Sequence, residues 1–273
     1  MTILLYEHPR SYFAQKVKVA LREKGIPFRA EIPDNYQGAK RAGPYVAANP
    51  RAQIPVLIDG ETQIFDSTVI LEYIEDSWPS PPLLPKAPAA RAFARITEEM
   101  CDTHYEPVNW AYLEISFFKR ATGELADILL IEARRQTRLI QEWLAGRLAD
   151  AAWFGGERFG WADIAAVLLV ERSTSFGLGP DPASKLGSWH AKAREWPSVA
   201  ATLREAETMA GGGSLSPDRF MTGERLREYR DHRLEWIIKS GGIDIVQKGL
   251  RDRTIRFTWP DPTQPSDGGV AGA

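Results

Sequence analysis

The sequence predicts an α/β domain in residues 1–80, an all-α domain in residues 91–212 and a C-terminal extension in residues 213–273. Three observations carry that prediction. Strand-like and helix-like runs alternate through residues 2–78 in the order β-α-β-loop-β-β-α. A cluster of prolines follows, at Pro79, Pro81, Pro82, Pro85 and Pro88. No helix runs through such a stretch, because each proline removes a backbone donor. Past this linker, residues 81–90, strand signals fade and helical periodicity dominates up to Gly211-Gly212-Gly213.

Each element has a local reason. Thr2–Tyr6 is short and apolar, with β-branched Ile3, and reads as a strand. Tyr12–Lys24 sets Val17, Ala20 and Leu21 at helical spacing; Gly25 stops the helix and Pro27 follows. Phe28–Ile32 offers a second strand. Pro55–Ile58 and Gln63–Phe65 flank Asp59-Gly60, a hairpin signal. Thr68–Ser77 is helical, with Val69, Ile70, Tyr73 and Ile74 apolar. This is the element order of a thioredoxin-like domain. In the second domain Ala89–Glu106, Glu124–Leu148 and Trp161–Ser175 carry helical periodicity. In the extension Thr222–Lys239 reads as a charged, solvated helix with opposite charges four residues apart. Ser214–Pro260 holds too many apolar residues, Trp236 and Phe257 among them, for a free tail, and is expected to dock. Gly268–Ala273 reads as disordered.

Composition excludes several classes. The chain is 44% apolar and 26% charged, enough for an ordinary core, and its formal net charge of -2 gives no footprint for nucleic acid or an anionic membrane. No run of 18 apolar residues is present to span a bilayer. The N-terminal MTILLYEHPR lacks the basic and apolar regions of a signal peptide. Cys101 is the sole cysteine, which excludes an internal disulfide and a CxxC pair. A reducing, cytoplasmic setting is the simplest reading. The four histidines have no metal-ligand spacing, so no metal is expected, and no G-x-S-x-G elbow supports a serine hydrolase.

Three turns between strand-like and helix-like runs hold the chemistry: Ser11, Gln53-Ile54-Pro55 and Asp66-Ser67. Together they suit a small peptide thiol. A cis Ile54–Pro55 bond would turn the Ile54 backbone groups toward an extended peptide; a trans, strand-leading proline is the alternative. Asp66-Ser67 opens a helix whose first amides lack partners and form an anion site. Ser67 would hold a carboxylate and Asp66 an ammonium, unless either is only a helix cap. Ser11 would donate to a thiolate at a second helix start, or serve as a cap alone. Lowering a thiol from its reference pKa of about 8.5 by about two units takes ~2.7 kcal/mol. A charge-assisted hydrogen bond and a helix terminus together are of that order.

These residues lie in segments that resemble the glutathione S-transferase family. Ser11-Tyr12-Phe13-Ala14-Gln15-Lys16-Val17 resembles the C/S-P-F-x-x-[RK]-V segment of the omega, tau and related bacterial classes. Ala48–Leu57 resembles the NP-x-[GK]-x-[VI]-P-x-L stretch, Asp66–Tyr73 the [ED]-S-x-x-I-x-x-Y-L helix start, and Gly160–Ala165 the [ST]-x-A-D element. The resemblance spans residues 2–210. It implies glutathione as co-substrate, detoxification chemistry and a homodimer. It implies that Ser11 activates the sulfur and Ile54 pairs with the cysteinyl backbone. Gln53, Asp66 and Ser67 would hold the γ-glutamyl and neighbouring groups, Pro55 would line the same glutathione groove, and Lys40 or Arg41 would reach the glycyl carboxylate. An acid near Glu99 or Asp102 would assist. There are departures. The omega class has cysteine where Ser11 stands, so no protein mixed disulfide is expected. Arg10 is inserted before Ser11 and Tyr12 replaces a proline, which leaves Tyr6 and Tyr12 as alternative thiol activators. Gly160 replaces a hydroxyl N-cap. The extension resembles the tails of bacterial transferases that dehalogenate or cleave aryl ethers.

His104, Tyr105, Asn109, Trp110, Tyr112, Phe117 and Phe118 cluster where the family binds its second substrate. Of these Tyr105, Trp110 and Tyr112, with Tyr12, are the candidates to line a pocket for a small hydrophobic electrophile. The readings are a glutathione transferase, a glutathione-dependent ether lyase or dehalogenase, and a non-catalytic ligand- or partner-binding relative.

Overall fold

The computed structural model describes residues 2–34, 43–209, 234 and 243–251. Its first strand, β1 (Ile3–Tyr6), is central and apolar on both faces: Ile3 and Leu5 on one are 2% and 0% exposed, and Tyr6 on the other is 9% exposed. Helix α1 (Tyr12–Glu23) returns the chain to β2 (Phe28–Glu31), parallel to β1. Helix α2 (Pro44–Ala48) leads to the hairpin β3 (Val56–Asp59) and β4 (Thr62–Phe65), and α3 (Ser67–Ser77) closes the unit. The sheet order is β2-β1-β3-β4, with β1/β3 and β3/β4 antiparallel. The register sets Tyr6 opposite Val56 and Val56 opposite Phe65. That single row places the loop after β1, the loop before β3 and the turn after β4 at the same end of the sheet.

Turn chemistry acts as the sequence implies. Gly60, at φ 60, makes the β3–β4 turn. Gly25, at φ 64, ends α1: its amide bonds to Arg22 O and the Ile26 amide to Leu21 O, the paired closure of a Schellman cap. The sequence places one apolar face on α1, but the structure buries nearly all of it. It packs on α3 on one side and on two later helices on the other. Lys16, Lys18 and Lys24 are therefore buried and ion-paired. Lys24 Nζ donates to Trp78 O (2.6 Å) and Pro81 O (2.8 Å) and pairs with Glu75, whose carboxylate accepts from the Leu83 and Leu84 amides. This fastens the proline-rich linker to the end of α1.

The helical part comprises α4 (Pro88–Met100), α5 (Glu106–Ser116), α6 (Gly123–Leu148), α7 (Trp161–Ser175), α8 (Lys185–Arg194) and α9 (Pro197–Thr208). Pro88, last of the linker prolines, begins α4, where its missing N–H costs nothing. The run expected as one helix over Ala89–Glu106 is divided by a π-turn, Cys101–Tyr105. Pro107 cannot donate to the helical ladder, so a new helix begins around it. Helix α7 is the core of this part, with Ile164–Val170 buried throughout. Its N-cap is glycine for a steric reason. A Cβ on Gly160 would lie 2.4 Å from the Leu83 carbonyl oxygen, which accepts from the Trp161 amide. Asp163, at N3, supplies the other half of the cap: it accepts from the Gly160 and Phe154 amides at 3.1 Å and from Trp189 Nε1 at 2.9 Å. Burial nevertheless raises its carboxyl to about 7.

The chain divides into Met1–Arg225 and Leu226–Ala273. Of the second unit Leu234, which is helical, and the helix Ile243–Arg251 are described. The expectations for Thr222–Lys239, for the rest of Ser214–Pro260 and for Gly268–Ala273 otherwise lie outside the described residues. Among the described residues no helix is long and apolar enough to cross a membrane.

Candidate functional site

The end of the sheet marked by Tyr6, Val56 and Phe65 gathers three backbone features. The first is the start of α1. Ser11 is its N-cap, at φ -78 and ψ 115, with its hydroxyl oxygen accepting from the Ala14 amide at 3.4 Å. A cap serine accepts through oxygen and keeps its own hydrogen to donate, so capping and thiol binding are compatible. The loop ahead of it is tightly held. Ser11 N–H donates to His8 O (2.7 Å), Gln15 Nε2 to Pro9 O (2.7 Å) and Arg172 Nη2 to Arg10 O (2.8 Å).

The second feature is the segment before β3. The Ile54–Pro55 bond is cis. Asn49, 1% exposed, shapes this segment: its side chain donates to Gln53 O (2.9 Å) and accepts from the Arg51 amide (3.0 Å). Ala52 is held at φ 51. The third feature is the start of α3. Asp66 sits at φ 76, uncommon for a residue with a Cβ, and caps the helix by accepting from the Thr68 amide at 3.2 Å. Ser67 follows at 5% exposure. Arg51 reaches across from the second feature to the third, 3.2 Å from Asp66 and stacked over Phe65. Both partners of that pair are over a third exposed, so it orients more than it stabilises.

Beneath these turns lies a buried polar network. Lys16 Nζ contacts Glu98 Oε1 at 2.5 Å and Asp102 Oδ2 at 2.6 Å. Tyr12 Oη donates to Asp102 Oδ1 (2.8 Å) and Thr68 Oγ1 to Glu98 Oε1 (2.9 Å); Trp161 Nε1 also donates to Glu98. Burial pushes the Asp102 carboxyl up while Lys16 draws it down. The same network places Lys16 above its ordinary value, since its two carboxylates outweigh burial.

Two expectations require correction. Tyr12, expected to face substrate, is 1% exposed; its hydroxyl is spent on Asp102 and the Ala165 carbonyl, and burial raises its pKa well above the ordinary value. Tyr105, expected in the pocket, is 0% exposed and accepts from Gln141 Nε2 at 2.9 Å within the helical core. Spacing carried the signal: Cys101, Tyr105 and Val108 recur at i, i+4 and i+7, a core face. Of their neighbours, Asn109 and Phe118 are core and Phe117 is exposed. Trp110 and Tyr112 are half-buried; Tyr112 stacks on Phe176 with ring centroids 5.1 Å apart. Tyr6 is packed against Tyr45, Ala48, Ile54 and Val56. Glu99 is exposed, whereas its neighbour Glu98 is the buried acid. Lys40 and Arg41 lie outside the described residues. Sequence reasoning missed Glu98 and Arg172, whose partners lie between 30 and 162 positions away, where no local pattern announces them. Asn49 stood in the Ala48–Leu57 motif without a role, although its partners Arg51 and Gln53 are local.

A four-stranded mixed sheet with a cis-proline edge and two helix starts at one end, followed by a helical bundle, defines a two-domain thiol-binding class. Residues 5–82 match the family of the glutathione S-transferase N-terminal domain, and residues 111–197 that of its C-terminal domain. The chain belongs to the glutathione S-transferase family, whose co-substrate is glutathione. It is 30% identical over 207 residues to glutathione S-transferase U28 of Arabidopsis thaliana, covering 72% of this chain and 86% of that protein. Among solved structures, a glutathione S-transferase from Rhodospirillum rubrum F11 superposes with a TM-score of 0.65 at 26% identity, over 74% of this chain and 92% of that one. Another from Methylobacterium radiotolerans, in complex with glutathione sulfonate, gives 0.62 at 27% identity, over 74% and 94%.

Proposed function

We propose that this protein ionises the thiol of glutathione at Ser11 and directs the thiolate onto a small hydrophobic electrophile. The observation that carries the reading is the Tyr6–Val56–Phe65 row, which brings two helix N-termini to one end of the sheet. The start of α3, with Ser67 and Asp66, takes the γ-glutamyl carboxylate and ammonium. The Gln53–Pro55 edge takes the peptide backbone, and the start of α1 takes the sulfur. A positive helix end favours each anion. The electrophile enters from the helical side, next to the half-buried Trp110 and Tyr112. No covalent protein intermediate is required, because the thiolate attacks and the leaving group or added proton completes the reaction.

Calorimetry on Ser67→Ala tests the placement of glutathione. Binding should weaken by ~1–3 kcal/mol, the cost of leaving charged ligand oxygen without its partner. Unchanged affinity would remove Ser67 from the site. Turnover across a panel of electrophiles, with and without glutathione, tests the reaction itself.

The same reading includes a homodimer. Val69 on α3 and Phe93 and Ile96 on α4 are 54%, 50% and 49% exposed. Glu72 and Arg95, paired at 2.6 Å, bring these two helix faces together. These side chains are the candidate subunit contact. Light scattering at micromolar concentration should give twice the 30.6 kDa chain mass; a single-chain mass would refute the dimer.

A further inference from the structure

Arg172 on α7 reaches the loop that carries Ser11. It stands in the last turn of the helix that forms the core of the second domain. Its Nη2 donates at 2.8 Å to the carbonyl of Arg10, the residue immediately before Ser11. The other loop carbonyls are held within the loop or by α1, through Ser11 N–H and Gln15. This third hold comes from the helical domain. A neutral acceptor here would be equally well served by a neutral donor. A guanidinium instead brings a full positive charge, half-buried, to the N-terminal end of α1. Burial lowers its pKa and Glu106 and Tyr12 raise it, yet an arginine stays charged in any such setting.

We propose that Arg172 is a positioning residue for thiol activation: it fixes the Arg10 carbonyl so that the Ser11 hydroxyl faces the sulfur, and its charge favours the thiolate. This rests on the reading that glutathione binds at Ser11. The charged and titratable groups that act on the guanidinium are Glu106 from α5 and Tyr12 from α1, with Asp102 behind Tyr12. Glu171, beside it on α7, is turned to His190 (2.8 Å) and Arg194 (3.5 Å). Glu106 carries the charge opposite to Arg172. Through Arg172 the helical domain, which carries the electrophile, also acts on the nucleophile.

The test is the ultraviolet absorbance of bound glutathione thiolate, titrated against pH in wild type, Arg172→Met and Arg172→Lys. Arg172→Met should raise the ionisation midpoint by about one pH unit, as expected for a nearby opposite charge. Arg172→Lys should recover part of the shift, since it restores charge without the fork. Glutathione affinity measured below the midpoint, where the thiol is protonated in all three proteins, is set at the start of α3 and should change little, so a purely structural defect is distinguished by its loss there. Should Arg172→Met fail to fold, Glu106→Gln serves: removing the opposing charge should lower the midpoint. An unmoved midpoint in a folded Arg172→Met, or in Glu106→Gln, overturns the proposal. If wild type itself shows no thiolate band with glutathione, the underlying assignment falls and the proposal falls with it.

Discussion

Lys16→Met is expected to destabilise the protein by ~3–5 kcal/mol, the range for breaking a buried ion pair by removing one partner. Lys16 is 0% exposed and is the cation recorded between two acids, Glu98 and Asp102. Its loss leaves two carboxylates facing each other with only neutral donors: Tyr12 on one, Thr68 and Trp161 on the other. The pH dependence has a definite sign. Without Lys16 the folded-state pKa of Asp102, already raised by burial, climbs further above the unfolded value. The variant's stability is then greatest below the unfolded carboxyl range and is lost as pH rises through the folded pKa. The deficit against wild type should therefore be large at neutral pH and shrink toward pH 5, because protons replace the missing cation. Denaturant midpoints of both proteins across that range check this. A second change, Asp102→Asn, should return part of the loss. A deficit that is flat with pH, or below 1 kcal/mol, would show that the ions do not hold the two domains.

This network explains which parts of the molecule were legible in the sequence. Local rules marked the turns well. Asp59-Gly60, Gly25, the Ser11 cap and the Asp66 cap all stand where propensity and capping place them. Those are choices made between neighbouring residues, and four loose motifs in order identified the family. Long-range partners leave no such trace. A lysine in an amphipathic helix reads as solvated, so Lys16, Lys18 and Lys24 gave no hint of burial against acids contributed by helices far along the chain. The aromatic cluster after α4 misled for a related reason. Composition tells that a region is rich in rings, while only the helical phase tells which ring faces inward, and Tyr105 shares its phase with buried Cys101 and Val108. Glycine in place of a hydroxyl at position 160 looked like a lost cap. The approach of Leu83 shows it to be required.

Ser11→Ala should lower turnover ~10–100-fold, the effect of losing one charge-assisted hydrogen bond of ~1.5–3 kcal/mol. The competing donors are poorly placed for the role. Tyr12 Oη is committed to Asp102 and Ala165, and the Tyr6 ring is packed into the cluster with Tyr45 and Ile54. Ser11 is half-buried at the end of α1, where hydroxyl and helix terminus act on the same atom. The size of the defect should depend on pH in one direction. Removing the donor raises the pH at which bound glutathione ionises, so at acid pH the variant holds far less thiolate than wild type. Above the variant's own midpoint both are ionised, and the rates should converge to the difference in intrinsic reactivity alone. Losing the cap costs about 1 kcal/mol of helix stability, which affects unfolding and not the shape of the pH profile. Tyr12→Phe should show the reverse pattern: lower stability from the unpaired Asp102 oxygen, with the thiol midpoint unmoved. If Ser11→Ala keeps both rate and profile while Tyr6→Phe or Tyr12→Phe abolishes activity, the proton of glutathione is handled by a tyrosine and the assignment of Ser11 is wrong.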